Sequence, residues 1–284
     1  MSAVRMDGTA LAARVRENVA REVADLGHVG LATVLVGDDP ASHVYIAAKH
    51  KAATEAGIDA RDVRLPAETS EEHVLELVDQ LNRDEEVDGI LVQLPLPSHM
   101  NETKVTYAVS PAKDVDGFHP FNAGNLYLGT PIHVPATPSG CMELLRAYDI
   151  DPAGKEAVVI GRSEIVGRPM AMLLMHANAT VTVCHSRTAD LASHVRRADI
   201  VVAAVGRPGI VTAEMVKPGS ACLDVGLTRT DEGIRGDIDA EVGEVAGFLT
   251  PMPGGTGPMT IAMLLQSALK AARYRRGLLA FPGS

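Results

Sequence analysis

Tryptophan is absent from this chain, and aromatic residues make up only 3% of it. That leaves no platform on which the bases of a single strand could stack, so strand binding of that kind is not expected. Positive charge is also in short supply: 26 Lys and Arg face 36 Asp and Glu, giving a net charge of −10. Nucleic acids and anionic membranes both require basic surface, and neither is expected as a partner. A local basic pocket for a small anion is still compatible with that balance. Cysteine is scarce. Cys141, Cys184 and Cys222 are odd in number, far apart and free of C-x-x-C spacing, so no disulfide framework, zinc site or other metal centre is implied. A reducing cytoplasm is the expected compartment. No apolar run approaches membrane-spanning length. The first stretch, MSAVRMDGTALAARVRENVAREVADL, mixes charges among its apolar residues and does not have the form of a signal peptide.

What the chain does have is alternation. Hydrophobic residues make up 46% of 284, enough for one large or two ordinary domains. Leu11, Val15, Val19, Val23 and Leu26 lie on one face of a helix capped near Asp7 to Thr9. Strands are predicted at 30–37, 62–65 and 89–97, with a helix carrying Tyr45 and Lys49 after the first and a Ser-capped helix over 70–84 after the second. A Pro- and Gly-rich stretch (114–140) and a further helix follow. A second series then opens, with strands at 157–161, 180–186, 199–206 and 221–227 and a last one near 243–250. Such alternation predicts parallel strands with crossover helices, here as two α/β units with an irregular, ligand-sized seam between them.

The second series opens with AVVIGRSEIVGRPMAMLLM: a strand ending at Gly161, then a helix opening at Gly167. A turn of this kind offers backbone N–H groups and a positive helix end to a pyrophosphate. Its spacing is Gly-x5-Gly rather than G-x-G-x-x-G, so a plain tight turn is the alternative. The next strand ends VCHSRT, with no Asp or Glu to hold a ribose 2′-hydroxyl. Ser186, Arg187 and Arg162 suit a 2′-phosphate instead, which favours NADP over NAD. Solvated surface charge is the other reading of the two arginines. The VGRPG turn, Val205 to Gly209, falls where a doubly wound sheet binds its cofactor.

Tyr45 and Lys49 stand one helical turn apart and project from one face. Tyr-x-x-x-Lys is also the pair used by short-chain dehydrogenases, but there it follows the glycine turn, whereas here it precedes Gly161. Several stretches together resemble a different family: SHVYIAAKHKAATEAGI, GILVQLPLP, PAKDVDGFHPFNAGNL, PATPSGC, VVIGRSEIVGRPMAMLL, VTVCHSRT and PMPGGTGPMTIAMLL. In this order, from about Val34 to the last helix, they are similar to the bifunctional methylenetetrahydrofolate dehydrogenase/methenyltetrahydrofolate cyclohydrolases.

The resemblance implies a two-lobed α/β fold. An N-terminal α/β catalytic, folate-binding domain (1–138 plus 258–284) would pair with a C-terminal Rossmann-type NADP-binding domain (139–257), with a cleft between them. It implies a homodimer, and NADP-dependent oxidation of 5,10-methylenetetrahydrofolate followed by hydrolysis to 10-formyltetrahydrofolate. Lys49 matches the family's essential lysine, Gln93 the glutamine that positions it, Tyr45 the tyrosine that stacks on the folate ring system, and Asp116 the carboxylate that pairs with the pterin. Gly254 and Gly255 would close over substrate. Gly161, Arg162, Ser163, Ile165, Gly167, Ser186 and Arg187 would hold NADP. Met252 and Thr256 stand where valines are usual in the family. Asp114 is expected as a loop or cap acceptor, and His43, His50 and His119 as structural groups.

Two rivals fit parts of this pattern. A shikimate-dehydrogenase-like enzyme would also place a catalytic lysine in its first lobe. A non-catalytic dinucleotide sensor would bind cofactor without turnover, but would leave Tyr45, Lys49, Gln93 and Asp116 unexplained.

Overall fold

The computed structural model describes residues 2–231 and 233–282. They form two compact units, one of Ala13–Ala136 with Ile261–Ser284 and one of Met1–Ala12 with Thr137–Thr260. In chain order the first half contains β1 (Val4–Arg5), α1 (Gly8–Leu26), β2 (Gly30–Val36), α2 (Pro40–Glu55), β3 (Asp59–Leu65), α3 (Glu71–Arg83), β4 (Gly89–Val92), α4 (Glu102–Ala108) and α5 (Pro120–Tyr127). The second half continues with α6 (Ala136–Ala147), β5 (Glu156–Ile160), α7 (Gly167–His176), β6 (Thr180–Cys184), α8 (Leu191–Val195), β7 (Ile200–Ala203), β8 (Ala221–Asp224), β9 (Thr228–Thr230), β10 (Gly233–Arg235), β11 (Phe248–Leu249) and α9 (Thr256–Arg275).

The first unit is built on a three-stranded parallel sheet in the order β3-β2-β4. Every residue of β2 is buried, which explains why its sequence is a continuous apolar run rather than an alternating one. Alternate side chains serve opposite faces. Leu31 joins a cluster with Val19 and Val23 of α1 and with Leu264, Leu265, Ala268 and Leu269 of α9. Ala32, Val34 and Val36 join another with Val74, Val78 and Leu81 of α3 and Val105 of α4. Helix α3 begins where its sequence says it should: Ser70 accepts from the His73 amide at 3.2 Å, and Glu71 and Glu72 occupy its positive first turn.

The second unit holds a six-stranded sheet in the order β1-β11-β8-β7-β5-β6, parallel throughout. The order reverses at β5, which lies between β6 and β7, and such a switch point is where open α/β sheets bind ligands. Residues 2–12, expected with the front domain, group with this unit instead. Val4 and Arg5 pair with Phe248 and Leu249, and the Ala3 and Val4 amides donate to Gly243 and Gly247. A strand of two residues carries no period of its own, so only its pairing shows it. The β9–β10 hairpin, antiparallel and exposed, is a further element the sequence did not announce.

Candidate active site

Helix α2 brings Tyr45 and Lys49 onto one face, as their spacing requires. The Lys49 ammonium nitrogen lies 4.8 Å from the centroid of the Tyr45 ring. Lys49 is buried, whereas Tyr45 is 37% exposed and so keeps ring surface for another planar group. At the end of β4, the Gln93 amide N–H donates to Val34 O, which ties the residue to the central strand. Its side chain donates from Nε2 to Leu94 O at 2.7 Å and accepts from Lys49 Nζ at 3.1 Å on Oε1. The first bond fixes which way the amide faces, so the carbonyl oxygen is the atom offered to the lysine.

Asp116 sits in a turn closed by the Gly117 amide donating to Asp114 O at 3.1 Å, with Gly117 at φ 70°. A Cβ at Gly117 would lie 2.9 Å from His133 O, so both the backbone conformation and the space require glycine. Asp114, buried, braces this turn: its Oδ2 accepts from the His119 amide and from Asn122 Nδ2, each at 2.8 Å. It is a loop acceptor, as expected. Burial pushes the Asp116 carboxyl up to about 6, against the pull of the Lys49 charge and with help from Asp114. Burial likewise holds Lys49 below the ordinary lysine range, with Asp116 opposing. Burial thus favours the neutral form of both groups, while their mutual attraction favours the charged forms.

In the second unit, Gly161 ends β5 with its amide on Cys184 O at 2.9 Å and φ at 121°. A Cβ there would lie 2.5 Å from Ala204 O, and one at Gly167 would overlap the Gly161 carbonyl. Such close backbone approach is what a phosphate-binding turn needs. Ser163 Oγ accepts from the Val166 and Gly167 amides at 3.2 and 3.3 Å, which holds the turn ahead of α7 and leaves its own O–H free in direction to donate to an anion. Arg162, Ser163 and Ile165 on this turn are exposed. Ser186 and Arg187 are exposed too, two and three residues beyond the end of β6, which pairs with β5 in register Ile160 to Cys184. Hydroxyl, guanidinium and apolar groups at adjacent strand ends, with no carboxylate at the second, fit a phosphorylated dinucleotide.

Both halves of the chain match models of one family, described as tetrahydrofolate dehydrogenase/cyclohydrolase: its catalytic domain over residues 6–116 and its NAD(P)-binding domain over 135–276. The chain is 53% identical to the bifunctional protein FolD of Moorella thermoacetica over 279 residues, 96% of this chain and all of that one. This chain belongs to that family. Among solved structures, the bifunctional FolD of Campylobacter jejuni superposes with a TM-score of 0.95 at 45% identity, covering 96% of this chain and all of the other. The Trypanosoma brucei FolD, solved with NADP and an inhibitor, gives 0.92 at 40% identity, covering 99% of this chain and 100% of the other.

Within this family member, the glycines of the 251–255 turn have packing reasons of their own. Gly254 has φ 104° and its carbonyl accepts from the Thr9 amide, while a Cβ on Gly255 would lie 2.7 Å from Pro251 O. Thr256, expected as a mere departure from valine, is buried, and its hydroxyl donates to Asp224 O at 2.8 Å. The histidines behave structurally: His119 caps α5 by accepting from the Phe121 amide, and His43 Nδ1 lies 3.1 Å from an Arg64 nitrogen. His50 keeps a buried Nε2 with no hydrogen-bond partner. All three thiols are buried, and burial pushes Cys141 up to about 12 and Cys222 to about 11, far from thiolate chemistry.

Proposed function

We propose that this family member oxidises 5,10-methylenetetrahydrofolate with NADP+ to the 5,10-methenyl form and hydrolyses that to 10-formyltetrahydrofolate, a pair of steps in one-carbon metabolism. The observation that carries the reading is the buried Lys49 held by Gln93 in a unit that also supplies Tyr45 and Asp116. NADP+ supplies the hydride acceptor. Asp116 accepts from neighbouring N–H groups of the pterin, a fork that a carboxylate matches and that fixes the ring's orientation. The exposed Tyr45 ring offers a face for stacking on the folate ring system.

Hydration of the methenyl carbon forms a C–O bond and releases one proton from water. Lys49 in its neutral form is the base for that proton, and burial favours the neutral form. Gln93 Oε1 accepts from Nζ whether or not the lysine is charged, so the lysine keeps its place while its protonation changes. When the ring then opens, the C–N bond breaks, the leaving nitrogen takes a proton that the ammonium can supply, and the hydroxyl proton is lost as the formyl C=O forms, so one proton is released overall. Gly254 and Gly255 are assigned to the substrate's side of the 251–255 turn on the strength of the family pattern. Gly161, Arg162, Ser163, Ile165, Gly167, Ser186 and Arg187 are assigned to NADP, with Ser186 and the arginines at the 2′-phosphate.

A cytoplasmic homodimer completes the reading. The family likeness supports the dimer, and three separate free thiols suit a reducing compartment. The test is a single spectrophotometric run with methylenetetrahydrofolate and NADP+. The methenyl chromophore should form and then decay. Absence of turnover with this pair, or reduction of 3-dehydroshikimate in its place, would refute the assignment.

A further inference from the structure

The turn after β7 is held by a group that no part of the proposed chemistry uses. Val205, Gly206 and Arg207 present three successive amides to one carboxylate. Asp237 Oδ2 accepts from Val205 at 2.6 Å and from Gly206 at 3.1 Å, and Oδ1 accepts from Arg207 at 2.6 Å. Asp237 has no exposed surface. Successive amides of this kind form a concavity that binds anions, and here the protein fills it with its own side chain. The space around the carboxylate is closed as well: a Cβ at Gly226 would overlap it. Water could have satisfied the amides of a surface turn, so burying a carboxylate to do it marks a turn whose shape must be held.

A second carboxylate holds the first in place. Asp224, at the end of β8 and 2% exposed, accepts from the Asp237 amide at 2.9 Å and from the Ile238 amide at 3.1 Å. Its own amide donates to Thr250 Oγ1 at 2.7 Å, and its carbonyl takes the Thr256 hydroxyl. The turn after β7 is thereby tied to both flanks of the 251–255 turn. On its other side Val205 lies beside the phosphate turn: a Cβ on Gly161 would come within 3.4 Å of its Cγ1, and the residue is 41% exposed.

We propose that Asp237 is a positioning residue for the dinucleotide: by taking the three amides it fixes the turn after β7 in the shape that seats the cofactor beside Gly161, and leaves the phosphates to the Gly161–Gly167 turn. The inference rests on the cofactor reading above. In Asp237→Asn one acceptor edge becomes an NH2 group facing an amide N–H, so the turn loses at least one charge-assisted bond and gains a repulsion.

The experiment is titration of NADP+ into the parent, Asp237→Asn and Asp199→Asn, with the kinetics of both activities. Asp199 is a matched control, because its carboxylate accepts from the Glu156 amide and Lys217 at the opposite ends of the strands. Asp237→Asn should weaken NADP+ binding and raise KM for NADP+ by about tenfold or more. Its dehydrogenase kcat at saturating NADP+, its KM for folate and its cyclohydrolase rate should stay within about twofold of the parent's. Asp199→Asn should bind NADP+ as the parent does. Unchanged NADP+ affinity in Asp237→Asn, or an equal loss of every activity in both variants, would overturn the proposal. Hydrogen exchange on the parent without cofactor gives a reading that needs no variant. The 205–207 amides should exchange as slowly as those of β7, and fast exchange would overturn the proposal even if Asp237→Asn did not fold. A parent that fails to bind NADP+ at all would instead refute the cofactor reading.

Discussion

Replacing Lys49 by glutamine separates the two activities. The structural cost is small: a glutamine amide can still donate toward Gln93 Oε1, and the burial that disfavours the ammonium no longer matters. One weakened hydrogen bond and one relieved desolvation leave stability within about 1 kcal/mol of the parent, a shift of a few degrees in Tm for a chain of this size. The catalytic cost is large. Removing a positioned general base costs about 10²- to 10⁴-fold, equivalent to about 3–5 kcal/mol of barrier. Decay of the methenyl chromophore should therefore slow by about a hundredfold or more, while NADPH formation stays within about tenfold. Lys49→Arg sharpens the test, since a guanidinium keeps the charge but cannot give up its proton at any working pH. Hydration should stay lost in Lys49→Arg. Hydration at the parent's rate in Lys49→Gln would refute the base assignment, and recovery in Lys49→Arg would show that charge alone suffices. In the parent, hydration should rise with pH as Lys49 deprotonates, and should level off below the range of a free lysine.

Other consequences can be measured separately. Asp116 is ionised only above about 6. Lowering the pH through that value protonates it, and one unit below, KM for the folate should be about tenfold higher; a KM flat from pH 7 to 5 would contradict the carboxylate fork. Because its folded pKa is raised, the stability it lends is complete below the ordinary aspartate value and declines as pH rises through about 6. The double variant Arg162→Ala with Ser186→Ala should erode the preference for NADP+ over NAD+ in kcat/KM by about tenfold or more, at two lost phosphate contacts, and equal use of both cofactors by the parent would refute the strand-end argument. Arg275→Met takes the 2.7 Å partner from Asp88, whose side chain is 2% exposed, leaving it the Gly30 amide and a 3.5 Å contact to Arg276. Urea unfolding should show a loss of about 3 kcal/mol, and a loss under about 1 kcal/mol would show that Arg276 moves in to compensate.

The elements that could be read from residues alone were those whose pattern was local. Helix α3 declared itself by a Ser cap, two acids in its first turn and Val74, Val78 and Leu81 at helical spacing. Strand β2 was legible as an apolar run because both of its faces are covered. By contrast, β1 consists of two residues whose only signature is a partner more than two hundred positions away. The β9–β10 hairpin is short and exposed, so no burial imprints a period on it. In the site, Lys49 and Tyr45 announced their common face by spacing, and Gly161 and Gly167 announced a turn. That Gln93 would meet Lys49 across 44 positions came from the family likeness, not from any local pattern; the two side chains lie 3.1 Å apart. Asp237 left no trace in its surroundings: an aspartate in GDIDAEVGE looks like solvated charge, and its role appears only once the amides thirty residues earlier are seen to converge on it.

Helix α9 fills the core of the first unit with Leu264, Leu265, Ala268, Leu269, Ala271 and Ala272, yet its opening residue is bonded to Asp224 of the second. Neither unit is therefore a cassette that can be lifted out by one cut. A gene fragment stopping at residue 136 would encode a sheet with its covering helix missing, and would be expected to expose that apolar floor and aggregate. Supplying the missing segment as a separate peptide should rescue its solubility, which makes this helix a natural place to split the enzyme into complementing parts.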